Sequence, residues 1–192
     1  MEDKMTVDLK KIYDAFAIDD PFVQALPYGT GHINDTYKMD CAASSYILQR
    51  LNTAIFRQPE ALMDNFQRVT RHIADKIAAE KSDRKTLHLV NSRADGKPFF
   101  RDGEGNFWRC YRFVGDARTY DILETPEQAF QAAAAFGQFQ CDLADLERLN
   151  ETIPDFHNTP VRLKNLENAI RADRCRRQSI PRAAPRDRRA WV

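Results

Sequence analysis

Leu26-Pro27-Tyr28-Gly29-Thr30-Gly31-His32-Ile33-Asn34-Asp35-Thr36-Tyr37 decides the fold of this chain. Gly29 and Gly31 are positions where the backbone can take a positive φ and approach a ligand closely. Before them, Phe22, Val23, Ala25 and Leu26 predict a short strand. After them, Asp35 to Met39, with Thr36 and Tyr37, predicts a second. The order is therefore strand, glycine loop, strand. A dinucleotide-binding turn needs a third glycine three residues past the second and then a helix, but Asn34 stands there and a strand follows. The P-loop signature needs Gly-Lys-Ser/Thr, which is absent.

Working outward, Leu9, Ile12, Tyr13 and Phe16 give a short amphipathic helix over residues 6–18. Cys41 to Ser45 is a turn, and Ser45 to Leu51 is a third strand. Pro59 opens a long helix reaching about Lys81, with Leu62, Phe66, Val69, Ile73 and Ile77 as its apolar stripe. Thr86 to Asn91 predicts a fourth strand. Asp102-Gly103-Glu104-Gly105-Asn106 predicts a hairpin turn, and Phe107 to Val114 a fifth strand. Gly115 to Asp121 is a polar connector. Thr125, Pro126 and Gln128 carry a capping box and an N-terminal proline, opening a helix to about Leu149. A further helix begins at Pro160 or Val161. His88 and His157 read as strand and loop residues without a third partner for a metal.

The net charge of +1 is unevenly spread. Residues 174–192 hold seven arginines and one aspartate, which leaves the rest of the chain at −5. A mildly acidic body does not suggest a nucleic-acid partner. The tail lacks apolar periodicity and is expected to be poorly ordered, or to be a frameshifted end. No apolar run has the length of a membrane span, and Met1-Glu2-Asp3-Lys4 opens no signal peptide. Cys41, Cys110, Cys141 and Cys175 show no zinc or disulfide spacing. A reduced, cytoplasmic setting is the expectation.

Five strands, a helix after the third, a polar connector and then helices follow the layout of the protein-kinase-like N-lobe. In that layout Gly29, Thr30, Gly31, His32, Ile33 and Asn34 cover the phosphates of ATP. Arg50, on the third strand, is the candidate cation for the α- and β-phosphates, with Gln49 on the opposite face. Glu60 or Asp64 on the following helix is the candidate carboxylate to pair with Arg50. Phe113 and Val114, at the connector, meet adenine. The fold expected is α+β: an N-lobe over 1–115 with a five-stranded antiparallel sheet and one helix, a hinge over 116–124, and the first helices of an incomplete C-lobe over 125–173.

The local sequences are more specific. Pro27 to Tyr37, Tyr46-Ile47-Leu48-Gln49-Arg50-Leu51-Asn52 and Pro59-Glu60-Ala61-Leu62-Met63-Asp64-Asn65 closely resemble N-acetylhexosamine 1-kinases. So do Phe107-Trp108-Arg109 and Glu151 to Thr159. Those enzymes belong to the aminoglycoside phosphotransferase and choline kinase superfamily, and the resemblance covers about residues 8–173. It implies phosphorylation of the anomeric hydroxyl of N-acetylglucosamine or N-acetylgalactosamine, with ATP and Mg²⁺. The family's catalytic aspartate lies in a His-x-Asp-x-x-x-x-Asn-like loop followed by a metal-binding aspartate. Nothing after His157 matches, and only Asp173 and Asp187 remain as downstream aspartates. The expectation is a truncated sugar kinase that binds nucleotide without turning over, lacking both catalytic base and metal ligands. The alternative is a non-catalytic nucleotide- or protein-binding module. The alanine- and phenylalanine-rich helix after Thr125 is expected to expose an apolar face and to promote self-association.

Overall fold

The structure is a computed structural model that describes residues 8–115, 117, 120 and 122–174. All of the arginine-rich tail beyond Arg174 lies outside the described residues. The chain divides into two compact units, Met1–Thr152 and Ile153–Val192.

In the first unit, α1 spans Leu9–Asp14, and the Asp8 carboxylate accepts from the backbone N–H of Lys11 to cap it. It is shorter than the 6–18 expected. Phe16 leaves it to bridge Ser92, and the Ala17 N–H donates to the Asn91 carbonyl, so strand-like partners replace the next helical turn. Six strands follow: β1 Phe22–Pro27, β2 Asp35–Cys41, β3 Ser45–Arg50, β4 Leu89–Val90, β5 Phe100–Arg101 and β6 Phe107–Arg112. They lie in the order β1-β2-β3-β6-β4, with β5 also on β6, and every pairing is antiparallel. The strand missed from sequence is β5, the short first arm of the Asp102–Asn106 hairpin. That turn closes on one side chain: Asp102 accepts from the N–H groups of Glu104 and Asn106 and from Trp108 Nε1. The expected fourth strand contracts to Leu89–Val90, the two residues in register with Tyr111 and Cys110.

Strand alternation gives the sheet two unlike faces. Met39, Leu48, Trp108 and Cys110 point to one, where α1 and the chain after it supply Ile12, Tyr13, Phe16 and Ile18. The Tyr13 hydroxyl donates to the Asp20 carbonyl, so this core leaves its phenol satisfied. The other face receives α2, Pro59–Glu80, through a smaller core of Leu51, Met63 and Phe99, with Leu62, Phe66 and Phe107 at its margin. Pro59 starts α2, and Lys81 ends it in a left-handed conformation with φ of 51°.

The helix α3, Pro126–Asp142, carries the capping box read from Thr125 and Gln128. It stops well before Leu149 because α2 takes its last carbonyl. Lys76 Nζ donates to the Asp142 carbonyl at 2.7 Å, and His72 Nε2 lies 3.0 Å from the same oxygen. Arg84 and Gln138 hold the buried Asp142 carboxylate, and Lys76 also reaches Asp145. Asn65 and Asn150 exchange two hydrogen bonds, each 2.8 Å. Beyond this end, α3 is bare: Phe130 is 65% and Phe136 72% exposed.

In the second unit α4 spans Thr159–Ala172, capped by the Asn158 side chain on the Val161 N–H. Asp155 and His157 both have positive φ, and the His157 ring packs edge-on to Phe156. Among the described residues, no helix is long and apolar enough to cross a membrane.

Candidate functional site

The glycine turn projects from the end of the β1–β2 hairpin. Its base is closed by the Tyr28 N–H on the Thr36 carbonyl at 2.9 Å. Gly29 takes φ of +82°, a value that favours glycine, whereas Gly31 does not need the left-handed region. No atom lies within 4 Å of where a Cβ would stand on either glycine, so the space against the turn is open. Thr30, His32 and Ile33 are exposed. The far end of the turn is anchored, because the Asn34 side chain accepts from the backbone N–H of Asn52 at 3.0 Å.

The near end of the turn reaches the connector. The Tyr28 ring stands edge-on to Phe113 with centroids 5.7 Å apart. Lys38 Nζ lies 4.9 Å from the centre of the same Phe113 ring and 3.0 Å from the Asp40 carboxylate. Thus β1, β2 and the residues after β6 converge on one aromatic ring. Phe113 and Val114 also line a cavity of about 620 Å³ beside Ile77, Lys85 and His88. A neighbouring apolar cavity of about 650 Å³ lies between α2 and α3 and includes Val114 but none of the glycine turn.

Arg50 does not meet α2. It stands opposite Asp35 in the β2–β3 register, and its Nε donates to Asp35 at 2.7 Å. Its guanidinium lies over Trp108, in the α1-covered core. The expected pairing with Glu60 or Asp64 is therefore replaced by one with Asp35. The reason is parity: Leu48 and Arg50 share the face that α1 covers, whereas α2 packs on the face of Gln49. Asp64 instead accepts from Asn150 and lies near Arg68, and Glu60 is exposed on the first turn of α2.

On the face that α2 half covers, a polar row crosses three strands. Arg109 Nε donates to Gln49 Oε1 at 2.9 Å, and Gln49 Nε2 donates to Thr36 Oγ1 at 2.8 Å. The Arg109 guanidinium lies 4.7 Å from the centre of the Phe66 ring, which belongs to α2. Burial pushes the pKa of Arg109 down, while the Tyr111 phenol opposes the shift. The sequence signal for this row was present in the period-2 alternation through Gln49 and Arg109. It was hidden by the expectation that the strand-three cation must be the one to face α2.

Among the described residues no group of three or more His, Cys, Asp or Glu side chains comes together. The described residues therefore offer no ligand set for a protein-held Mg²⁺. No protein-family profile matches this sequence. The crystal structure of spectinomycin phosphotransferase, APH(9)-Ia, in complex with ADP and spectinomycin is similar over 85% of this chain and 53% of that one. The two share 10% identity, at a TM-score of 0.37. The chain spans about half the length of that structure.

Proposed function

We propose that residues 1–115 are the nucleotide-binding lobe of an ATP-dependent phosphotransferase, joined through 116–124 to helices over 125–173. The observation that carries this reading is the convergence of Tyr28 and Lys38 on Phe113. It brings the open glycine turn and the connector onto one sheet face, an arrangement suited to holding phosphates at one end and a base at the other. Backbone N–H groups of Gly29 to Asn34 meet phosphate, and Phe113 and Val114 line the base. The acceptor class is an N-acetylhexosamine, phosphorylated on its anomeric hydroxyl, on the strength of the local motifs. Mg²⁺ supplies charge compensation on the phosphates when bound.

Among the described residues assigned to the nucleotide, none is a carboxylate placed to take the hydroxyl proton. Phosphoryl transfer depends on positioning and on neutralised charge, so the 192-residue chain binds ATP without transferring phosphate. The affinity expected is on the order of 1 mM, about 4 kcal/mol of binding free energy. Calorimetric titration with ATP, run beside an assay for sugar phosphate with N-acetylglucosamine and N-acetylgalactosamine, tests both parts. No ATP binding at about ten times that concentration removes the nucleotide reading. Sugar phosphate formed by this chain alone removes the claim of inactivity.

A further inference from the structure

By strand register three cations stand on the sheet face that α2 half covers: Lys38, Arg109 and, exposed on β5 beyond the polar row, Arg101. Lys38 is committed to Asp40 at 3.0 Å. Arg109 is not. Its Nε donates to Gln49, and no described residue accepts from its Nη groups or sets a carboxylate within ion-pair distance. A guanidinium partly withdrawn from water with no counter-charge is held at a cost that an incoming anion relieves. The Phe66 ring centre lies 4.7 Å from its guanidinium carbon, and the remaining N–H groups form a planar fork rather than a point charge.

The polar row has a direction. Gln49 Oε1 is used by Arg109, so its Nε2 donates to the Thr36 hydroxyl oxygen. The Thr36 O–H is then left as a donor. The row ends in donors on both sides and keeps its acceptors inside, which suits an oxyanion and repels a metal ion. Arg50, the cation expected on the third strand, lies on the other face with Asp35.

We propose that Arg109, steadied by Gln49 and Phe66, is the side chain of this sheet that meets the nucleotide's phosphate oxygens, with the Thr36 hydroxyl as a second donor. This rests on the nucleotide reading above and deepens it. The ligand class is a polyphosphate, and the contact is a guanidinium on β6 in place of a cation on β3.

The test uses the full chain and three variants, Arg109→Gln, Arg109→Lys and Arg50→Gln, each checked for native circular dichroism. All are titrated with ATP, adenosine and inorganic triphosphate. In parallel, arginine modification of the unaltered chain by phenylglyoxal is mapped by peptide, with and without triphosphate. ATP affinity should fall roughly tenfold in Arg109→Gln and less in Arg109→Lys, with adenosine binding unchanged in both. Arg50→Gln should bind ATP as the unaltered chain does, and triphosphate should shield Arg109 from phenylglyoxal and leave Arg50 reactive. Equal losses for ATP and adenosine would make Arg109 a support of the fold and overturn the proposal. A tenfold loss in Arg50→Gln with Arg109→Gln unaffected would overturn it too. Should triphosphate shield Arg109 while neither ATP nor adenosine binds, the phosphate contact stands and the nucleotide reading fails. Should ATP bind while Arg109 stays reactive, the nucleotide reading stands and this proposal fails. Binding of no probe, with no protection, overturns both. If Arg109→Gln does not fold, the protection pattern on the unaltered chain decides.

Discussion

The two faces of the sheet are built from the same strands and differ in nearly everything else. Under α1, Met39, Leu48, Trp108 and Cys110 are fully buried and close on Phe16. Burial pushes the Cys110 thiol up, so it behaves as a small apolar group. Under α2, Leu51, Met63 and Phe99 close one end and Ile47 is buried at the other, while the row Thr36, Gln49, Arg109 between them stays half-buried. One face spends its residues on packing. The other keeps donors in a partly dry place, where a hydrogen bond to an anion is stronger than in water. The face with the poorer core is the one that keeps hydrogen-bond donors available.

The sharpest test of that contrast is stability. Trp108→Ala should cost about 3–5 kcal/mol, from lost burial, the cavity left behind and the orphaned Asp102 acceptor. Urea denaturation reads this directly. Gln49→Ala should cost only about 1–2 kcal/mol, the net worth of two hydrogen bonds at a half-buried site. Equal losses in the two variants would erase the distinction between the faces.

A finer contrast lies in pH. Lys76 and then His72 hydrogen-bond the Asp145 carboxylate and hold its pKa down to about 2. A carboxylate whose folded pKa is depressed adds stability above its unfolded pKa of about 4 and loses it as pH falls toward the folded value. Denaturation midpoints of the unaltered chain should therefore drop between about pH 4 and pH 2, and Asp145→Asn should flatten that drop. Met39, in the α1-covered core, is apolar and fully buried and hydrogen-bonds no carboxylate, so a Met39→Leu variant should keep the unaltered slope. An undiminished slope in Asp145→Asn would show that the α2–α3 link is not the acid-sensitive part.

The smallest effect should come from the outermost layer. Phe136→Ser on α3 should change stability by no more than about 0.5 kcal/mol, because the ring is 72% exposed. It should reduce any concentration-dependent association seen in sedimentation. A stability loss near that of a core residue would mean that α3 is covered in solution.

Much of this fold was legible from local rules. The glycine turn between two strands, the proline start of α2, its end at Lys81 and the capping box at Thr125 are each fixed by residues within one turn of themselves. What was illegible depended on distant partners. Gln49 and Arg50 are neighbours, and which of them faces α2 is decided by where Met63 and Phe66 pack, not by the strand's own pattern. The end of α3 is set by Lys76 and His72, more than sixty residues earlier. Of the candidate site, the strand–turn–strand geometry was readable, whereas the partner of Arg50 was not, because Asp35 lies across the strand pair and Glu60 and Asp64 lie on the other face.

The exchange between Asn65 and Asn150 has a consequence for how the chain is born. The two residues are 85 positions apart, and their paired hydrogen bonds dock the segment after α3 against α2. The last sheet strand ends at Arg112, so a ribosome can release a complete sheet while the outer side of α2 still waits. At about 5–20 residues per second, the interval between emergence of Asn65 and of Asn150 is roughly 4–17 s. During it Ile73, Ile77 and the cations Lys76 and Arg84 have no α3 to meet. Arrested nascent chains that expose residue 112 but not 150 should be cleaved readily within α2, and chains that expose both should resist; equal resistance would mean that α2 is secured by the sheet alone.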